Sequence, residues 1–158
     1  MIEAFRISAA QHARTVQKML SGRGAFLNGG RWNSPGVAMV YLAGSRSLAA
    51  LELLVHLNRT DILKTYKEQS VSFSESLVTH IAVDDLPSNW SKASMAPVVQ
   101  QIGDAWAREN VSLVLQVPSV VVSGEYNYLI NPEHDDFHKM CVGKIARFKF
   151  DCRLKKRQ

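Results

Sequence analysis

The sequence predicts a single α+β domain, and three observations predict it. A chain of 158 residues suits one domain and leaves little room for a second. Its 46% hydrophobic and 21% charged residues are ordinary for a chain that buries a real core, with no low-complexity tract or internal repeat. Segments that read as strands outnumber those that read as helices, and the two do not alternate regularly, which argues against a doubly wound parallel sheet.

The elements follow in order. A short strand opens the chain at Ile2–Ser8. The polar, glycine-rich stretch from Ser21 to Gly36 reads as irregular, and a loop of that length inside a compact domain is either functional or mobile. The continuous apolar run Val37–Ala43 reads as a buried strand. A helix is expected over Ser45–Asn58 with Ser45 as its N-cap. Leu48, Leu51, Leu54 and Val55 would form its apolar stripe, with Glu52 at the edge of that stripe, half buried or more, and His56 one turn further on. Beyond it the sequence suggests a strand at Leu77–Val83, an amphipathic helix at Pro97–Asn110 and a strand at Val111–Val117. Val120–Val122 then leads into a turn at Ser123–Glu125 and the segment Tyr126–Pro132. A final strand is expected over Lys144–Asp151.

The charge is unevenly spread. Of the net +5, all is carried from Arg147 onward, where six basic residues face one acid, Asp151. The rest of the chain is neutral, so overall basicity says little about what the body binds. The N-terminal residues lack the pattern of a signal peptide, and apolar runs fall well short of the ~20 residues that span a bilayer. Cys141 and Cys152 form no CxxC or zinc-type spacing and read as two free thiols of a reducing compartment. A cytoplasmic location is the expectation.

Several familiar motifs fail. Gly22-Arg23-Gly24 would need its third glycine at Leu27, and no clear strand precedes it, so a Rossmann loop is not expected. There is no P-loop and no G-x-S-x-G elbow. His134 and His138 lack an evident third ligand, and no metal is expected. What survives is a polar set on an apolar scaffold: Arg31, Tyr41, Glu52, Ser119 and Asn127. Singly, Arg31 fits a surface arginine, Tyr41 a core aromatic with a satisfied hydroxyl, and Ser119 a turn former after Pro118. Glu52 differs, because burying a carboxylate on an apolar helix costs several kcal/mol unless it is paired, and such groups mark functional sites.

Three blocks of sequence, Gly30-Arg31-Trp32-Asn33-x-x-Gly36, Val40-Tyr41-x-Ala43 and Leu48-Ala49-x-Leu51-Glu52-x-Leu54-Val55-His56, resemble the RES domain. So do Val117-Pro118-Ser119, the run Asn127-Tyr128-Leu129-Ile130-Asn131-Pro132-x-His134, and Phe150-Asp151-x-Arg153-Leu154. The family is named for an arginine, a glutamate and a serine, which match Arg31, Glu52 and Ser119 here, with Ser123 as the other candidate serine. The resemblance implies a domain over 1–154, followed by the basic tail 155–158, with a fold similar to the ADP-ribosyltransferase fold of diphtheria-type toxins. It also implies a toxin of a bacterial toxin–antitoxin pair, partnered by an Xre-like helix-turn-helix antitoxin. NAD would be its substrate, with no separate cofactor.

In that frame Arg31 would bind the NAD pyrophosphate, and Tyr41 would pack against the nicotinamide or its ribose. Glu52 would stabilise the positive charge that grows as nicotinamide leaves. Ser119 and Asn127 would orient the carboxamide or ribose, and His56 the carboxylate or the acceptor. The acceptor stays open between water, phosphate and a protein side chain. NAD depletion is the leading expectation and mono-ADP-ribosylation of a target protein the alternative. Membrane contact and direct nucleic-acid binding are not expected; a rival reading, a binding module gripping nucleic acid through the basic tail, leaves Arg31, Tyr41 and Glu52 without a role.

Overall fold

A computed structural model of the chain describes residues 1–58, 60–61 and 64–154. The basic tail at 155–158, on which the nucleic-acid reading rests, lies outside them. Among the described residues eight strands form one mixed sheet: β1 (Ile2–Ala9), β2 (Val40–Ala43), β3 (Tyr66–Phe73), β4 (Val78–His80), β5 (Val114–Pro118), β6 (Tyr126–Ile130), β7 (Cys141–Val142) and β8 (Ala146–Phe148). Their order is β4-β5-β6-β2-β1-β3-β7, with β8 also pairing β3. Among the described residues only β4 and β5 pair in parallel. Among the described residues four α-helices accompany the sheet, α1 (Val16–Met19), α2 (Arg23–Asn28), α3 (Arg46–Leu54) and α4 (Ala96–Arg108). This is the single α+β domain that the sequence predicts.

Both faces of the central strands are covered, which is why β2 reads as an unbroken apolar run. Val40 and Leu42 pack with Ala4, Val71, Phe73 and Ile130 on one face, under Met19 and Leu20. On the other face α4 covers Leu115, Val117 and Leu129 through Val99 and Trp106, together with Trp32 and Trp90. Beside it α3 covers Phe5, Ile7 and Ala43 through Leu48 and Ala49. Two helices thus share one face, α4 over one half of the sheet and α3 over the other.

Several elements differ from expectation. The stretch 21–36 is not wholly irregular: α2 forms within it, entered at Gly22 (φ 66°) and stopped at Gly29 (φ 71°), where only glycine is comfortable in the left-handed region. Helix α3 starts as expected, with the Ser45 side chain accepting from the Leu48 amide, but ends at Leu54. Past it the amides of His56 and Leu57 bond three residues back, to Leu53 and Leu54, tightening the last turn. Its stripe is also rotated. Leu51 and Val55 are 42% and 60% exposed, whereas Leu48 and Ala49 are buried; the small Ala49 side chain allows the close approach to β1. The terminal strand contracts to Ala146–Phe148, and Phe150 packs back on Tyr66 beyond its end. Strand β3 is absent from the elements that the sequence suggests.

One join in the sheet is weak. β1 pairs with β3 along its whole length, from Ile2↔Phe73 to Ala9↔Tyr66, but it meets β2 only at Phe5↔Ala43. Past that pair the two strands part, and a cavity opens there.

Candidate active site

The cavity has a volume of about 590 Å³, within the range of roughly 300–1,000 Å³ that small-molecule sites occupy. Phe5, Arg6 and Ile7 of β1 and Tyr41, Leu42 and Ala43 of β2 flank the split. Ala49, Glu52 and Leu53 of α3, with Val55 and His56 after it, form a second wall. The loop Gly29–Trp32 and the residues Pro118, Val120, Val121 and Asn127 close the remainder.

Glu52 projects from α3 and is mostly buried. Its Oε1 accepts two hydrogen bonds, from the Ser119 hydroxyl at 2.7 Å and from Asn127 Nδ2 at 2.6 Å. Ser119, itself buried, follows the end of β5, and its Oγ also accepts from the amides of Val121 and Val122 at 3.1 Å each. Those amide bonds leave the hydroxyl proton to aim at Glu52. Asn127 stands on β6, opposite Val117 and Ala43. Among the described residues no donor reaches Glu52 Oε2. The carboxylate is therefore anchored through one oxygen and available through the other. Ser123 sits in the exposed turn before β6 and is not bonded to Glu52.

Arg31 lies in a loop that is fastened at nearly every residue. Asn33, fully buried, donates from Nδ2 to the carbonyls of Ala25, Ser34 and Val37 and accepts at Oδ1 from the Tyr41 hydroxyl, at 2.7 Å. The same hydroxyl accepts from the Trp32 amide at 3.0 Å. Gly30 allows this closeness, since a Cβ there would stand 2.5 Å from Tyr41 Oη. From behind, α4 grips the loop: Gln100 donates to the Gly30 carbonyl, buried Asp104 accepts from the Ser34 amide, and Gly103 lets the helix cross the Trp32 carbonyl. The Arg31 guanidinium donates to the Trp90 carbonyl and lies 5.6 Å from the Trp90 ring centroid. Burial lowers its pKa, while the negative charge of Glu52 works the other way. Tyr41 thus spends its hydroxyl on the loop and offers the cavity its ring. Burial, with the charge of Asp104 adding to it, raises the phenol above its ordinary range.

His56 is exposed at the cavity edge and makes no bond to Glu52. Of the sequence-predicted set, then, Arg31, Tyr41, Glu52, Asn127 and His56 line one cavity and Ser119 supports it from beneath. His134 and His138 serve their own turn, His134 Nδ1 accepting from the Asp136 amide. Among the described residues no three His, Cys, Asp or Glu side chains gather as a metal site would need. Both cysteines are free and exposed. No helix among these residues is long and apolar enough to cross a membrane.

Arg6 is the residue that sequence reasoning missed. It comes from β1, lines the cavity and donates from Nη1 to the Tyr41 carbonyl at 2.9 Å, the carbonyl left free where β1 and β2 part. Its one sequence signal is a charge, the second after Glu3, inside the half-apolar run Ile2–Ser8. Four buried side-chain polar atoms lack a partner among the described residues, and three of them, Arg6 Nε, Arg31 Nε and Asn127 Oδ1, belong to residues that line this cavity.

The α+β domain that carries this cavity is a RES domain, an ADP-ribosyltransferase-like fold. The RES domain family matches residues 3–151, and the chain belongs to that family. It is 37% identical over 146 residues to "Toxin Res" of Photorhabdus laumondii subsp. laumondii, covering 91% of this chain and 93% of the relative. It is likewise 37% identical over 149 residues to "Prs ADP-ribosylating toxin" of Sphingobium sp. (strain YBL2), covering 92% of each. Its fold is also similar to a chain in the crystal structure of the M. tuberculosis MbcT–MbcA toxin–antitoxin complex, with TM-score 0.73 at 17% identity over 93% of this chain and 84% of that one.

Proposed function

We propose that this protein is the toxin of a toxin–antitoxin pair and that it breaks the nicotinamide–ribose bond of NAD. The observation that carries the chemistry is Glu52: a mostly buried carboxylate, held through Oε1 by Ser119 and Asn127, with Oε2 free of protein donors among the described residues and an arginine nearby. Such a group is preorganised to stabilise a positive charge. In the reaction the bond between ribose C1′ and the nicotinamide nitrogen breaks, and both electrons leave with nicotinamide as a neutral molecule. The ribose becomes cationic at C1′, and Glu52 stabilises it without itself forming a bond. An acceptor oxygen or nitrogen then bonds to C1′ and sheds any proton it carries. Arg31 faces the phosphates, the Tyr41 ring packs against the nicotinamide or its ribose, Asn127 and Ser119 keep the carboxylate aimed, and His56 stands where the acceptor enters.

NAD is here a substrate, and the chain needs no other cofactor for this step. Water as acceptor makes the protein a glycohydrolase and phosphate makes it a phosphorylase; depletion of NAD by either route is the leading reading. Transfer of ADP-ribose to a protein is favoured by one finding, the Sphingobium relative named for ADP-ribosylation. An Xre-like helix-turn-helix antitoxin would be the partner, in keeping with the toxin names of the relatives.

The test is NAD loss by the purified chain, with Glu52→Gln as control and with phosphate or cell lysate added. Loss by the wild type alone supports the reading. ADP-ribose 1″-phosphate seen by mass spectrometry names phosphate as acceptor, and an added ADP-ribose mass on a lysate protein names transfer. Wild-type rates in Glu52→Gln would overturn the mechanism.

A further inference from the structure

The bonds at Gly30, Trp32 and Asn33 fasten the loop that carries Arg31, but they leave a long side chain still to be placed. Among the described residues no carboxylate lies within ion-pairing distance of it, and its Nε is buried without a partner. Trp90, 59 positions further on, supplies what the loop does not. Its carbonyl accepts from Arg31 Nη2, and the guanidinium carbon stands over its ring, 5.6 Å from the centroid. The carbonyl fixes one nitrogen; the ring fixes the side on which the cation rests. Trp90 is itself held firmly. It is 8% exposed, packs 6.0 Å from the Trp32 ring beside Leu86 and Val99, and donates its amide to the Pro87 carbonyl at 2.8 Å.

We propose that Trp90 is a positioning residue: its carbonyl and ring together hold the Arg31 guanidinium so that the remaining donors are presented to the cavity. That those donors meet the phosphates of NAD rests on the reading above; the hold on Arg31 does not. Trp90 is not among the residues that line the cavity, so it acts through Arg31. A cluster packed only for burial would accept any large apolar side chain at position 90. An indole adds a π face, the best of the aromatic faces at attracting a cation. An arginine restrained in this way loses less rotamer freedom when a ligand arrives, so the restraint favours binding more than the chemical step.

The test compares the full chain with Trp90→Leu, which keeps an apolar side chain but removes the π face, and with Trp90→Phe, which restores a smaller one. Leu115→Ala is the control, since it loosens the same buried cluster from the sheet side. Trp90→Leu should raise KM for NAD by about tenfold with kcat within about twofold of wild type, and Trp90→Phe should recover part of the loss. Leu115→Ala should keep the wild-type KM. A wild-type KM in Trp90→Leu, or an equal rise in Leu115→Ala, would overturn the proposal, the second outcome meaning that Trp90 only fills the core. A readout without NAD is the Arg31 Nε–H signal in ¹⁵N-arginine spectra, assigned with Arg31→Lys. Its exchange with water should quicken by about tenfold in Trp90→Leu and stay unchanged in Leu115→Ala; an unchanged rate in Trp90→Leu overturns the hold on Arg31. If wild type consumes no NAD but its Nε–H responds in this way, the positioning stands and the NAD reading falls. Should Trp90→Leu not fold, Trp90→Phe carries the test: both readouts should change by about threefold, and no change in either would overturn it.

Discussion

The Ser119 hydroxyl donates to Glu52 Oε1 at 2.7 Å across 67 residues of sequence, and its own oxygen is occupied by the amides of Val121 and Val122. The serine therefore acts as a one-way connector that ties the turn after β5 to the carboxylate on α3. Ser119→Ala removes a charge-assisted bond and leaves two amides short of an acceptor. Stability should fall by about 1.5–3 kcal/mol. A loosened Glu52 should lower NAD turnover about tenfold to a hundredfold with little change in KM. Urea unfolding and steady-state kinetics on the same preparation check both.

Asn127→Asp tests the other anchor. The shape is kept, but the donor 2.6 Å from Glu52 becomes a second carboxylate. Two carboxylates sharing a site resist ionising together, so the pair holds a proton to higher pH. The acid limb of the pH–rate profile should move up by about one unit or more, whereas Asn127→Leu should lose activity without moving it. Rates from pH 4 to 9 distinguish the two.

The clasp of α4 on the Arg31 loop gives a packing prediction. A Cβ at position 103 would stand 1.9 Å from the Trp32 carbonyl oxygen, which is backbone and cannot swing aside. Gly103→Ala should destabilise by about 3 kcal/mol, the upper part of the range for overpacking. Gly30→Ala meets the Tyr41 hydroxyl instead. Its cost should shrink in a Tyr41→Phe background, a coupling that a double-mutant cycle of unfolding energies measures.

Tyr41 also predicts a pH dependence. Burial raises its phenol above the ordinary 10.0, so the folded protein keeps a proton that the unfolded chain loses near that pH. Stability from this group is complete below about pH 10 and declines as pH rises beyond it. Tyr41→Phe removes the titration. The stability gap between wild type and Tyr41→Phe should be constant from neutral pH to about 9 and narrow above 10; Arg6 titrates in both proteins and cancels in the difference. Chemical unfolding across that range reads it directly.

Much of the candidate site is legible in the sequence because its residues sit in short, dense blocks. Gly30 to Asn33 reads as a unit since each member fastens the next, and Ser45 announces α3 through its cap. Arg6 is silent for the opposite reason: its partner is a backbone carbonyl, which no residue type advertises. Strand β3 is hidden by composition. Tyr-Lys-Glu-Gln-Ser-Val-Ser-Phe shows little apolar alternation, and the buried position at its centre is Gln69, whose amide bonds the Gly143 carbonyl at 3.0 Å. The stripe of α3 misleads because a leucine-rich helix offers several equivalent faces, and the choice falls to the sheet beneath it.

The single Phe5↔Ala43 pair between β1 and β2 makes the sheet two plates meeting at one rivet. One plate carries β3, β7 and β8 with α3, the other β4, β5 and β6 with α4, and Arg6, Glu52 and Asn127 look across the joint from both sides. A dinucleotide lying there would complete the seam that hydrogen bonding leaves open. Substrate then acts as mortar as well as reactant: amide protons along the facing edges of β1 and β2 should exchange first in the free protein and slow most when ADP-ribose is bound.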